Sequence, residues 1–152
     1  MIQFHPFKPL VGINSKVCIL GSFPSVKSRE NNFYYGNSKN RFWKIISEIF
    51  ETDLPTTIEN KKKLILNNNL AIWDVLSSCD IHASQDSSIK EEKVNSIDLF
   101  VKKYGINVLI FNGNTAYKLY KKHFKDTLNI KEIVLPSTSP ANARISYDEL
   151  YK

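Results

Sequence analysis

Polar residues that could bind a ligand follow the first apolar run of the chain. The residues Val17-Cys18-Ile19-Leu20 are followed at once by Gly21-Ser22-Phe23-Pro24-Ser25, and then by an aromatic and polar tract over 33–40. A turn that contains Gly and Pro at the end of a buried strand leaves backbone N–H groups and hydroxyls facing outward. Open α/β folds bind their ligands at this carboxyl edge of the sheet. We therefore expect the turn to form the floor of a pocket.

Three later apolar runs also end in polar residues. Trp73-Asp74 closes the second run, Asn112-Gly113 ends the third, and Pro136-Ser137-Thr138-Ser139-Pro140-Ala141-Asn142 follows the fourth. Every strand of a parallel sheet delivers its carboxyl end to the same side. The sequence thus predicts that these distant segments converge on one cleft.

The elements that must position these residues are predicted from the apolar patterns. Four short runs are nearly continuous in apolar character, as strands covered on both faces must be: 16–20, 70–76, 107–112 and 131–135. Helical patterns lie around them: 40–50, a helix opened by a capping box of Thr56 and Glu59, a helix from Asn95 to Tyr104 ended by Gly105, a helix capped by Asn114, and a short helix at Ser146 to Glu149.

Alternation of strand and helix predicts an α/β fold of three layers, α/β/α, around a central, mostly parallel sheet of about four strands. The polar, serine-rich segment 77–96 has no strong period, so we predict a long connection that shapes a rim. The length of 152 residues fits one domain, 1–152.

Composition limits the classes of function. The net charge of +6 and the isoelectric point of about 9.2 favour polyanionic partners such as nucleic acid, although a biased genome would also enrich lysine. Cysteines and histidines are isolated, so we expect no metal and no cofactor. Neither a signal pattern nor a membrane-length apolar run stands out, and we expect a cytoplasmic monomer.

Several blocks of the chain together resemble a known family. The first turn with Ser28, Tyr34-Tyr35-Gly36, Asn40-Arg41-Phe42-Trp43, the stretch 71–76, Phe111-Asn112-Gly113 and the block 135–142 are similar to the hypoxanthine-DNA (deoxyinosine) glycosylase branch, family 6, of the uracil-DNA glycosylase superfamily. The resemblance implies a uracil-DNA glycosylase-like fold. It also implies a monofunctional base-excision-repair enzyme that hydrolyses the N-glycosidic bond of hypoxanthine in DNA and leaves an abasic site without nicking the strand.

Two departures separate this chain from the uracil-specific branches. Those branches place a carboxylate in the first turn and a His before the final Pro-Ser pair, whereas this chain has Ser22 and Phe23 in the turn and Leu135 before Pro136. The resemblance instead places the water-positioning role on Asn40. Residues 37–39 read Asn-Ser-Lys, where many members have a Pro.

The resemblance assigns roles residue by residue. It implies catalytic roles for Asn40 and Asn112. The expected base pocket consists of Gly21, Ser22, Phe23, Pro24, Tyr35 and Asp74. Contacts to DNA, double-stranded with a damaged or mispaired base and in some cases single-stranded, are expected from Ser25, Ser28, Ser137, Thr138, Ser139, Pro140, Asn142 and Arg144.

Each assignment has a simpler structural alternative. Asn40 could be only a helix cap, and Phe23 only a core residue. Asp74 could accept hydrogen bonds from a neighbouring turn, and Asn112 could be a turn former. For function, the alternatives are a uracil or thymine mismatch glycosylase of the same fold, a non-catalytic binder of damaged DNA, and an enzyme acting on free nucleotides.

Overall fold

The computed structural model describes residues 2–4, 7–23, 33–36, 40–80, 90–124 and 130–136. The strands are β1 (Ile2–Phe4), β2 (Val17–Gly21), β3 (Leu70–Asp74), β4 (Leu76–Asp80), β5 (Lys90–Val94), β6 (Val108–Asn112) and β7 (Lys131–Leu135). The helices are α1 (Phe42–Ile49), α2 (Ile58–Asn67), α3 (Ile97–Tyr104) and α4 (Asn114–Phe124).

The central sheet has four strands in the order β3-β2-β6-β7, and every neighbouring pair is parallel. The chain runs from β2 to β3 on one side and then crosses to β6 on the other side of β2. The direction of winding therefore reverses between β2 and β6. Ligands of open α/β folds bind at such a point of reversal, outside the carboxyl ends of the strands.

Strands β2, β3 and β6 send alternate side chains to two separate cores. On β2, Cys18 and Leu20 belong to one apolar cluster and Ile19 to the other. Helices α3 and α4 pack on the first face through Phe100 and Tyr120 among others, while α1 and α2 pack on the second. The predicted three-layer α/β/α architecture with a parallel sheet of four strands is thus confirmed.

Helix boundaries follow the local capping chemistry. The apolar pattern of this segment predicts a buried stripe, and Phe42, Trp43, Ile45 and Ile46 are buried, whereas Ile49 at the end of α1 is 46% exposed. The predicted capping residue of α2 was wrong by one position, because the hydroxyl of Thr57, not Thr56, accepts the N–H of Asn60 at 3.1 Å. Gly105 ends α3 in the left-handed conformation, with φ of 64°, as its position predicted.

The prediction of a long connection over 77–96 was wrong. β4 and β5 pair antiparallel within this segment, and β1 pairs with β4 to complete a three-stranded sheet in the order β1-β4-β5. Only Leu76 and Ser78 of β4 are buried among its described side chains, and β5 carries Lys-Glu-Glu-Lys. Such a polar ribbon lacks the apolar run by which the central strands were recognised.

The backbone changes direction between β3 and β4, and hydrogen bonds fix this break beside the end of β2. The N–H of Val75 donates to the carbonyl of Gly21 at 2.8 Å, and the N–H of Leu76 donates to the carbonyl of Ser22 at 3.1 Å. The predicted single strand over 70–76 is therefore two strands. Within the described part of the chain, no helix is long and apolar enough to cross a membrane.

Asn95 joins this break to the start of α3. Its Nδ2 donates to the carbonyl of Asp74 at 2.9 Å and to the carbonyl of Leu76 at 3.2 Å. The cap position of α3 is Ser96, so the prediction that Asn95 caps the helix was wrong. The side chain of Asn95 holds two strand ends instead.

We predict that Asn95→Ala lowers the free energy of unfolding by about 2 kcal/mol, because two carbonyls lose their donor in a half-buried position. Chemical denaturation measures this change. Ser77→Ala is the matched control, since it also removes a side-chain donor to backbone carbonyls, those of Lys93 and Val94, at a more exposed place. An Asn95→Ala variant no less stable than Ser77→Ala contradicts the bracing role.

Candidate active site

The polar ends of three parallel strands lie side by side at one edge of the central sheet. Gly21 of β2 is opposite Asp74 of β3, and Asn112 of β6 is opposite Leu135 of β7. Leu20 is opposite Phe111, so Gly21 and Asn112 are the next residues along that pair of strands. The predicted convergence of Gly21, Asp74 and Asn112 is therefore present in the structure.

Gly21 is covered by two polar groups. A Cβ atom added to this residue would lie 2.6 Å from Asp74 Oδ1 and 3.4 Å from the Tyr35 hydroxyl oxygen. The first distance is too short for any side chain, so only glycine lets the buried carboxylate of Asp74 approach the end of β2 so closely. Glycine is required here by close approach and not by its backbone angles.

Tyr35 brings the aromatic tract to this edge. Its ring stacks on Phe42 of α1 with centroids 4.0 Å apart and planes inclined by 16°. Its φ angle is 52°, in the left-handed region that a bulky residue rarely adopts. The hydroxyl oxygen is buried and makes no hydrogen bond of accepted geometry to any described residue.

The groups around the Tyr35 hydroxyl affect its ionisation. Burial raises the pKa of Tyr35 well above the ordinary value, and the negative charge of Asp74 raises it further. The side chain of Asn112 offsets a part of this rise in pKa, because it acts as a hydrogen-bond donor to the phenolate. Tyr35 thus interacts with both Asp74 and Asn112 at the end of β2.

Asn112 is the last residue of β6 and lies two positions before the first residue of α4. The next residue, Gly113, has φ of 102°, and its N–H donates to the carbonyl of Leu135 at 2.9 Å. This bond ties the end of β6 to the end of β7. The half-buried side chain of Asn112 is consequently held beside the N-terminus of α4, where a helix carries partial positive charge.

Asn40 lies at the start of α1, two residues before Phe42. The N-cap position of α1 is Arg41, but Asn40 Oδ1 accepts the N–H of Phe42 at 2.9 Å, so the Asn40 side chain still caps the first turn from the preceding position. Because Phe42 also stacks on Tyr35, one residue links the cap to the cluster at the sheet edge. The cap fixes the orientation of the carboxamide, and its catalytic role stays a prediction.

Phe23 and Ser22 continue from the end of β2 and are buried. Phe23 is 8% exposed and packs in the same apolar cluster as Leu20, Val75 and Leu76. This position favours the interpretation of Phe23 as a core residue that closes the floor of the site. Stacking of its ring on a ligand stays a prediction.

The other predicted site residues lie outside the described part of the chain. They are Pro24, Ser25, Ser28, Ser137, Thr138, Ser139, Pro140, Asn142 and Arg144. Among the described residues, no group of three or more His, Cys, Asp and Glu side chains is arranged to hold a metal ion.

Two residues that support the site could not be recognised from the sequence. Asn95 holds the backbone of Asp74, and Phe42 holds the Tyr35 ring. In a sequence, a polar residue before a helix indicates a cap, and an aromatic residue on an apolar stripe indicates a core position. Contacts between residues 21 positions apart along the chain, as in the Asn95 to Asp74 bond, carry no local pattern.

Comparison with known proteins places this geometry in a wider group. Residues 9–150 match the family model described as the uracil DNA glycosylase superfamily. A protein of Methanosarcina acetivorans named hypoxanthine DNA glycosylase is 33% identical over 144 residues, which cover 92% of this chain and 89% of that protein. A protein of the same name from Methanosarcina barkeri is 27% identical over 140 residues, covering 91% and 87%.

A solved structure shares the fold. It is the solution NMR structure of a protein from Methanosarcina acetivorans that is provisionally described as a uracil DNA glycosylase. The TM-score is 0.83 at 31% sequence identity, and the likeness covers 98% of this chain and 92% of the other.

The raised pKa values of two adjacent residues, Tyr34 and Tyr35, predict how the free energy of unfolding depends on pH. Burial is the main cause that raises the pKa of both Tyr34 and Tyr35 above the ordinary tyrosine value of 10.0, so the native state keeps protons that the unfolded chain releases above that pH. The stabilising contribution is complete below pH 10 and is lost as the pH rises. We expect the free energy of unfolding to fall above that point by about 1.4 kcal/mol per pH unit for each tyrosine.

Urea denaturation from about pH 8 to about pH 11 measures this slope. Tyr34→Phe and Tyr35→Phe should each reduce the slope by the share of one group, and the double variant by two. A slope that the double variant leaves unchanged contradicts the origin assigned to it.

Proposed function

This chain belongs to the uracil DNA glycosylase superfamily, and we propose that it is a monofunctional DNA glycosylase that removes hypoxanthine from deoxyinosine. Hydrolysis of the N-glycosidic bond leaves an abasic site, the first product of base excision repair. The observation that carries the choice of base is the name hypoxanthine DNA glycosylase of two relatives that match more than nine tenths of this chain.

The reaction does not require a general base that deprotonates the attacking water. Departure of the base gives the sugar an oxocarbenium-like character, and this strong electrophile reacts with a water molecule that is oriented but not deprotonated. A carboxamide suits this task, because its oxygen accepts a hydrogen bond and neither of its groups titrates near neutral pH. The absence of a carboxylate in the first turn is therefore compatible with catalysis.

Asn40 is the residue to which we assign the orientation of water. Its Oδ1 accepts the N–H of Phe42, and a carboxamide oxygen can accept two hydrogen bonds. The cap holds the amide in one orientation before substrate arrives, which removes the cost of ordering it during the reaction. In this proposal, the capping bond is part of the catalytic arrangement.

The departing base carries negative charge, which the sheet edge can stabilise. Asn112 supplies an amide, and the N-terminus of α4 begins two residues later at Asn114. Partial positive charge at a helix N-terminus favours an anion nearby, and preorganised N–H donors act strongly where water is excluded. Both groups lie at the reversal point between β2 and β6, where the base would bind.

DNA is the substrate of such an enzyme, and the net charge of +6 supports its binding to phosphates. The nucleotide must leave the duplex to reach the buried edge, at a cost that is smaller for a mispaired base such as hypoxanthine. Binding of double-stranded DNA, action as a monomer, one domain over 1–152 and a cytoplasmic location are parts of the proposal.

A second candidate function is favoured by the solved structure. Its provisional description as a uracil DNA glycosylase supports uracil, or thymine in a mismatch, as the base. A non-catalytic sensor of damaged DNA would use the same cleft. The candidates differ in which base is removed from DNA and in whether any base is removed. A cleavage assay therefore separates them.

We predict alkali-labile breaks at deoxyinosine when labelled duplexes containing deoxyinosine, deoxyuridine or a G:T mismatch are incubated with the protein. Without alkali, the strand should remain intact, because a monofunctional glycosylase leaves only an abasic site. Breaks only at deoxyuridine or the mismatch favour the second candidate. Binding to deoxyinosine duplex without any breakage favours the sensor.

We expect Asn40→Ser to slow single-turnover excision by about a hundredfold or more while leaving stability near that of the wild type. Serine caps a helix about as well as asparagine, so this variant separates capping from catalysis. Asn68→Ala is the control, since it removes the bond from Asn68 Nδ2 to the carbonyl of Leu64 at the C-terminal end of a different helix, α2. Equal excision rates for Asn40→Ser and the wild type would remove Asn40 from the mechanism.

A further inference from the structure

Tyr35 is energetically unfavourable in two independent ways. Its backbone lies in the left-handed region, with φ of 52°, although its side chain is large. Its hydroxyl is buried and donates no hydrogen bond of accepted geometry to a described residue, while the side chain of Asn112 meets it only as a donor. Strained backbone and an unsatisfied polar group that coincide at the carboxyl edge of the sheet point to a functional role, because the surrounding structure must compensate for both.

The neighbours of this hydroxyl define a complementary pair of groups. The carboxylate of Asp74 and the hydroxyl of Tyr35 both lie over the Cα atom of Gly21, as the contacts of an added Cβ show. A carboxylate only accepts hydrogen bonds, whereas a tyrosine hydroxyl can donate one. The stack on Phe42 holds the ring and thereby fixes where the hydroxyl lies. A donor and an acceptor thus stand next to each other at the end of β2.

We propose that Tyr35 and Asp74 together recognise the lactam edge of the extruded base, with the hydroxyl donating to the ring carbonyl and the carboxylate accepting from the adjacent ring N–H. This inference rests on the proposed function and names the feature of the base that the site selects. Hypoxanthine presents this edge at its six-position, and uracil presents it as well.

The same pair rejects adenine. The edge of adenine is reversed, with an amino group in place of the carbonyl and a bare ring nitrogen in place of the N–H. The lone pair of that nitrogen would face the Asp74 carboxylate, and two acceptors that face each other repel. Because the pKa of Tyr35 is raised, its hydroxyl stays protonated and remains a donor at any physiological pH.

Tyr35→Phe tests this inference, because it removes one oxygen and keeps the ring that stacks on Phe42. The probes are duplexes with a non-cleavable 2′-fluoroarabino nucleotide that carries either hypoxanthine or unsubstituted purine, which lacks the carbonyl. We expect Tyr35→Phe to weaken binding of the hypoxanthine duplex about tenfold and to leave binding of the purine duplex nearly unchanged. Equal losses for the two duplexes, or none for either, would overturn the inference.

Tyr34→Phe is a matched control on the neighbouring residue. The Tyr34 hydroxyl donates to the carbonyl of Lys8 at 3.0 Å, so its proton is already bound within the fold. Tyr34→Phe should therefore lower the melting temperature and keep the preference for hypoxanthine over purine. Tyr35→Phe should lose the preference with an unchanged or raised melting temperature, because it deletes an unsatisfied group. A lowered melting temperature with the preference intact would show that the Tyr35 hydroxyl is only structural.

Asp74→Asn gives a second test on the acceptor. An amide can donate to the bare nitrogen of adenine, so this variant should narrow the preference for a hypoxanthine duplex over the matched adenine duplex. An unchanged preference overturns the role of Asp74. Excision of hypoxanthine by the wild-type protein is measured alongside, since its failure would overturn the proposed function, whereas normal excision with unaltered binding preferences would overturn only this recognition.

Discussion

The parallel pairing of β2 with a strand on each side is the constraint on which the site depends. Register places Gly21 beside Asp74 on one side and brings Asn112 to the same level on the other. If the register of β2 shifted by one residue, the buried side chains of Cys18 and Leu20 would turn toward the opposite core, which holds Ile19. Packing in both cores therefore stabilises the observed register. The same apolar contacts that stabilise the fold thereby set the distances between polar groups at its edge.

The site departs from the rules that the rest of the molecule follows. Apolar side chains of β2, β3 and β6 are buried in two cores, whereas the edge holds a buried carboxylate, an unsatisfied hydroxyl and a tyrosine in the left-handed region. Such features lower stability and persist where they serve binding or catalysis. The Phe42 stack and the Asn95 bonds hold these groups in place, so that substrate meets an arrangement already formed.

The sequence allowed the central sheet to be predicted because its strands are continuous apolar runs, and the polar residues after each run indicated the edge at which they would meet. It did not reveal β4 and β5, since Ser, Lys and Glu on a half-exposed ribbon give no comparable pattern. The position of Asn95 just before α3 indicates a helix cap. Its bond to the carbonyl of Asp74 arises only in the fold, so the sequence does not reveal it. The inward direction of the Tyr35 hydroxyl depends on a φ angle that its residue type disfavours, so no local rule predicts it.

The central claim is that an extruded base binds where β2 and β6 end. The most direct measurement is a titration of ¹⁵N-labelled protein with a duplex that carries a non-cleavable deoxyinosine analogue, followed by the backbone amide shifts. The account predicts the largest changes at Gly21, Asn40 and Gly113, in excess of those caused by an undamaged duplex of the same sequence. Changes confined to another face, such as α2 or the sheet of β1, β4 and β5, with none at the ends of β2 and β6, would contradict it.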